Sequence, residues 1–94
     1  MRVRWTTPAT EQFVSAYEYI ADENRAAAAR AANRIWKSTE LLANHPLAGR
    51  EGRVVGTREL VIRGTAFIVA YRIEKKEIWI LAVMHAARKW PEEF

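Results

Sequence analysis

The chain contains no cysteine, which excludes disulfides and thiolate chemistry and fits a reducing cytoplasm. Its two histidines, His45 and His85, stand forty residues apart, so the spacing points to no metal site, and no cofactor is expected. Long apolar runs are missing as well. The longest, Ile78 to Met84, is seven residues and too short to cross a bilayer. Met1 leads directly into Arg2-Val3-Arg4-Trp5, with no signal-peptide stretch. A Gly-rich phosphate loop, a nucleophile elbow and a paired carboxylate site are also absent. These absences lead to the expectation of a cytoplasmic protein with no membrane, cofactor or metal partner.

What the chain does contain suffices for one core. Its 94 residues are expected to form a single domain over residues 1–94, burying roughly 60–65% of the unfolded surface. Half the residues are hydrophobic, and Trp5, Trp36, Trp79 and Trp90 contribute large apolar areas. Fifteen Lys and Arg against 11 Asp and Glu leave a net charge of +4. That excess suits an acidic partner, either nucleic acid or an acidic protein segment.

Arg2 to Thr6 alternates polar and apolar residues, as a short half-buried strand does. Thr7 offers an N-cap hydroxyl and Pro8 a first helical position. Phe13, Tyr17 and Ile20 then give that helix an apolar face. Asp22-Glu23-Asn24 can cap a second, alanine-rich helix from Arg25 to Asn44, with Ala28, Ala32, Ile35, Thr39 and Leu42 on one stripe. Small alanines allow close approach, so the two helices should form a hairpin. His45-Pro46 ends the second helix, and a loop through Gly49-Arg50-Glu51-Gly52-Arg53 to Gly56 follows. Three strands are expected over Arg58–Arg63, Phe67–Ile73 and Ile78–His85. The last two are apolar on both faces and should lie centrally in the sheet. The expected order is β-α-α-β-β-β, an α+β fold.

His85 is the strongest chemical candidate. By simple alternation it shares a face with Trp79, Leu81 and Val83 at the point where the strand ends. It reads either as an acid, base or hydrogen-bonding contact at a groove mouth, or as a partly buried histidine satisfied by backbone. The arginines come second. Arg50, Arg53, Arg58, Arg63 and Arg72 face only Glu51 and Glu59 over the same stretch, and guanidinium favours planar contacts with phosphate or carboxylate. Arg58 should share a face with Leu60 and Ile62, and Arg63 should lie beside Glu59. The tail Arg88-Lys89-Trp90-Pro91 pairs cations with an aromatic. It could stack on a base or grip a protein, or Trp90 could fold back over a sheet edge.

In this order, the helical hairpin, His45-Pro46…Gly49-Arg50, Gly56-Thr57-Arg58-Glu59-Leu60, Phe67-Ile68-Val69-Ala70-Tyr71-Arg72 and Val83-Met84-His85-Ala86-Ala87-Arg88 resemble toxins of the RelE/ParE superfamily of type II toxin–antitoxin modules. The Phe67–Arg72 strand and the His-x-x-Arg ending are more similar to ParE-like members. The resemblance implies a small antiparallel sheet packed on the hairpin. It also implies a cognate antitoxin partner, with operator DNA reached only through the antitoxin, and a role of the plasmid-stabilisation kind.

RelE-like members cut messenger RNA on the ribosome; ParE-like members poison DNA gyrase and are not nucleases. Ribonuclease chemistry needs cations around the phosphate. The positions matching the cations of RelE-like toxins hold Glu59, Val61 and Ile68. The resemblance therefore implies a gyrase poison acting by binding, with Arg50, Arg53, Arg58, Arg63, His85, Arg88 and Trp90 as contact candidates. The alternative is a ribosome-dependent endoribonuclease built on His85, Arg58, Arg63 and Arg88. A third reading is a weakly toxic or inactive module that binds antitoxin and serves operon autoregulation.

Overall fold

The structure, a computed structural model, describes residues 1–94. Its elements run β1 (Arg2–Trp5), α1 (Thr7–Ala21), α2 (Arg25–Leu41), β2 (Arg50–Glu51), β3 (Arg58–Val61), β4 (Phe67–Glu74) and β5 (Glu77–His85). They build an α+β fold with one sheet in the order β1-β5-β4-β3-β2. The apolar β4 and β5 are interior strands, as their composition requires. In the strand pairing, two features differ from the sequence expectation. Arg50–Glu51 forms a two-residue edge strand on β3, invisible in advance because both residues are polar and exposed. The antiparallel order holds for β2 to β5, whereas β1 joins β5 in parallel.

Capping residues fix where the helices begin. The cap of α1 is Thr6, one residue earlier than expected, and its Oγ1 accepts from the Ala9 amide at 3.2 Å. The same hydroxyl donates to the Ile80 and Leu81 carbonyls at 3.2 and 3.4 Å, tying the helix start to β5. Asn24 caps α2, its Oδ1 accepting from the Ala27 amide at 2.9 Å. The buried stripe of α1 runs through Ala9 and Ala16, flanked by Phe13 and Ile20, while Tyr17 is exposed. On α2 the buried residues are Ala28, Ala31, Ile35 and Thr39, so Ala31 stands where Ala32 was expected. α2 itself ends at Leu41.

The hairpin covers one face of the sheet. Ile35 and Leu42 meet Ile62, Phe67, Val69, Tyr71, Ile78, Ile80 and Val83 in the core. Trp5 stacks on Trp36 at 5.9 Å and meets Phe13 at 5.5 Å. Tyr71 is fully buried, and its hydroxyl accepts from the Gly49 amide and donates to the Pro46 carbonyl, both at 2.8 Å. Position 49 takes only glycine because an added Cβ would lie 2.6 Å from Tyr71 Cε1.

One irregularity controls the site. Ala70 pairs with Ala82, but Tyr71 pairs with Ile80, leaving Leu81 unopposed in a β-bulge. An extra residue inverts the alternation. Ile78 and Ile80 face the helices before the bulge, and Val83 faces them after it. His85 therefore shares its face with Val83 and Phe67, while Trp79 and Leu81 lie on the opposite face. The expected grouping of His85 with Trp79 and Leu81 is corrected accordingly.

Candidate functional site

The bulge delivers the end of β5 to α1. Beyond Trp5, β5 has no strand on the β1 side, so Gln12 of α1 takes that place. Its Oε1 accepts from the Val83 amide at 2.9 Å. A groove of about 500 Å³ opens here, lined among others by Gln12, Tyr19, Phe67, Val83, His85 and Arg88. His85 stands edge-on to Phe67, with ring centroids 5.6 Å apart. Its Nδ1 accepts from the Ala87 amide at 3.1 Å, so a local backbone contact occupies that nitrogen. Gln12 and Tyr19 went unnoticed in the sequence. Their seven-residue spacing on α1 is a helical signal, and it becomes readable only once the bulge in β5 is known.

A second cluster lies on the face away from the helices. Glu59 is only 2% exposed, and its carboxylate accepts four hydrogen bonds. Three come from Arg53, from the backbone amide at 2.8 Å, Nε at 3.0 Å and Nη2 at 3.2 Å, and one from Arg50 Nη2 at 3.1 Å. Burial acts to raise the carboxyl's pKa. The Arg53 side-chain and backbone hydrogen bonds, the Arg50 hydrogen bond and the Arg53 charge outweigh it, and the group sits below its ordinary value. The far side of Arg53 is covered by Trp90, whose ring centroid lies 3.9 Å from the guanidinium carbon. The tail thus returns over the sheet, and the Trp90 Nε1 donor is buried without an acceptor.

The remaining candidates are dispersed. Arg58 shares a face with Leu60, and its guanidinium is tied to the Gly49 carbonyl at 3.1 Å and the Leu47 carbonyl at 3.5 Å. It pins the loop after α2. Arg63 does not meet Glu59; it sits in the β3–β4 turn, where its carbonyl accepts from Arg34 at 3.2 Å. Arg58 lies opposite Tyr71 and His85 opposite Phe67, four residues of β4 apart, or about 13 Å. Arg58 is therefore set apart from His85, with its guanidinium turned to the loop carbonyls.

This hairpin-on-sheet arrangement is shared with known proteins. The family described as the ParE toxin of type II toxin–antitoxin system, parDE, matches residues 3–90. The chain belongs to the ParE toxin family. A relative from Sinorhizobium fredii (strain NBRC 101917 / NGR234), "Putative toxin Y4kP", is 41% identical over 91 residues, covering 97% of this chain and 94% of that protein. A solved structure described as a chromosomal ParDE TA system from P. aeruginosa superposes with a TM-score of 0.80 at 27% identity, over 90% of this chain and 95% of that one. ParE membership accounts for the sheet and hairpin, and the RelE/ParE resemblance read from the sequence resolves to its ParE side. No helix is long and apolar enough to cross a membrane.

Proposed function

We propose that this ParE-family toxin arrests growth by binding and poisoning DNA gyrase in the cytoplasm, and that a cognate antitoxin neutralises it. It acts by binding rather than by catalysis. The observation that carries this reading is the state of the three positions where RelE-like toxins place cations. Glu59 is locked by Arg50 and Arg53. Val61 and Ile68 face each other as an apolar cross-strand pair. A pentavalent phosphate set there would meet two aliphatic side chains and guanidinium groups already engaged by Glu59, instead of free positive charge. The backbone contact at His85 Nδ1 supports the same reading, because the Ala87 amide already takes that nitrogen's lone pair.

The contact surface for gyrase in this reading comprises His85, Arg88 and the exposed cations around them. The antitoxin is proposed to lay an acidic, amphipathic segment into the groove between α1 and β5, with its apolar side on Tyr19, Phe67 and Val83 and its acidic side toward Arg88. Contact with operator DNA for autoregulation would then come through the antitoxin. The test is a supercoiling assay with purified gyrase, toxin and antitoxin. Inhibition that antitoxin relieves is the expected result. Unimpaired supercoiling at high toxin excess, with messenger RNA cut in a translation reaction, would return the assignment to the ribonuclease branch.

A further inference from the structure

The β4–β5 turn is made of Lys75 and Lys76, held at φ of 50° and 61°. Two-residue turns of this hand favour Asn-Gly, since a side chain in the left-handed region is disfavoured. Here both positions carry long cations instead. Next to the turn, on the face away from the helices, the pairings Arg4↔Trp79 and Arg72↔Trp79 set one cross-strand row, Arg4–Trp79–Arg72. The Arg4 guanidinium carbon lies 5.0 Å from the Trp79 ring centroid, and its Nη1 lies 3.3 Å from Glu77 Oε2. The group is thus fixed from beneath and from one side. Arg2, Arg72, Lys75 and Lys76 take part in none of the chain's ion pairs. The carboxylates at this hairpin end are Glu74 and Glu77, which border a shallow depression of about 420 Å³ together with Lys75 and Trp79.

We infer that this hairpin end is a sequence-independent binding surface for the phosphate backbone of DNA. Arg4 and Arg72 stand two strands apart, about 10 Å at the backbone, with the lysines beyond them on flexible stems. Guanidinium groups at such a spacing can hold successive phosphates, and the lysines add screened attraction. An acidic protein segment is the less suitable occupant. Such a segment needs an apolar anchor, and the one aromatic ring of the row is already covered by Arg4. Backbone contact carries no sequence information, so operator recognition stays with the antitoxin. The inference goes beyond gyrase binding and is tested without gyrase.

The experiment is fluorescence anisotropy of a labelled 20-base-pair duplex against the full chain over a salt series. The key variant is Lys75→Asn with Lys76→Gly, which suits the turn and so keeps the fold while removing two charges. Arg72→Gln is the second variant. Arg25→Gln with Arg30→Gln, on the exposed side of α2, is the control of equal charge. Binding by the parent chain is expected, weakened several-fold to about tenfold in the turn variant. The slope of log K against log salt should fall by about 1–2, and the control should change neither. Equal weakening in the control would assign the binding to net charge and overturn the surface. So would absence of duplex binding at low salt, or binding of a poly-glutamate peptide through the same lysines without DNA binding.

Discussion

Replacing Glu59 with glutamine removes one charge from a nearly isosteric side chain and leaves Arg50 and Arg53 facing an amide. Glu59 accepts four hydrogen bonds, all from these two arginines. The amide can accept on one oxygen only, and its NH2 points toward guanidinium donors. Breaking a fully buried ion pair costs about 3–5 kcal/mol. Here the Arg50 and Arg53 side chains remain 56% and 44% exposed, so water takes over part of their solvation. The expected loss is therefore nearer about 2 kcal/mol, within the range for charged hydrogen bonds. For a chain of this size that is a fall in Tm of about 8–16 °C, measured by circular dichroism at neutral pH. The Arg53–Trp90 contact should loosen at the same time, moving the indole emission to longer wavelength. A fall in Tm of less than about 2 °C would refute the view that this carboxylate organises the outer face.

The depressed Glu59 pKa gives a pH signature with a definite sign: its stabilisation is complete above the unfolded carboxyl value of about 4.3 and is lost as pH falls through the lower folded value. The stability gap between parent and Glu59→Gln should accordingly close on acidification below about pH 4.3, and a gap independent of pH would contradict the assignment. Tyr71→Phe leaves the buried Gly49 amide without its acceptor and should cost about 1–3 kcal/mol in urea unfolding. Gly49→Ala sets a methyl group against Tyr71 and the Glu59 carbonyl and should cost about as much by overpacking. Lys75→Asn with Lys76→Gly relieves two left-handed side chains and should raise stability by about 1 kcal/mol or more; a lower Tm would show that the lysines fit their turn.

Elements with a clear period were legible from the residues. The helical hairpin, a cap for α2 within Asp22-Glu23-Asn24 and the interior position of β4 and β5 all follow from periodicity, capping chemistry and apolar runs. The bulge was not legible, because Ile78 to Met84 is apolar at every position and alternation leaves no trace there. That one hidden residue turned His85 toward α1 and away from Trp79. The cap at Thr6 rather than Thr7 was a choice between adjacent identical residues, decided by the β5 carbonyls that Thr6 also reaches. Tyr17 drew the sequence reading because it is large, but the close contacts of α1 are made by the small Ala9 and Ala16. The partners of Glu59 came from the short edge strand and the loop after it, at positions 50 and 53, rather than from Arg63 in the following turn. Loop closure of that kind has no period to read.

Whether purified toxin traps gyrase on cleaved DNA separates a gyrase poison from the ribonuclease alternative. Plasmid, gyrase and toxin are incubated, the enzyme is denatured and digested, and linear DNA is resolved on a gel. Linear product is expected to rise with toxin and to disappear when the antitoxin is added first. Intact plasmid at every toxin concentration, with active gyrase in the same tubes, would contradict the gyrase reading.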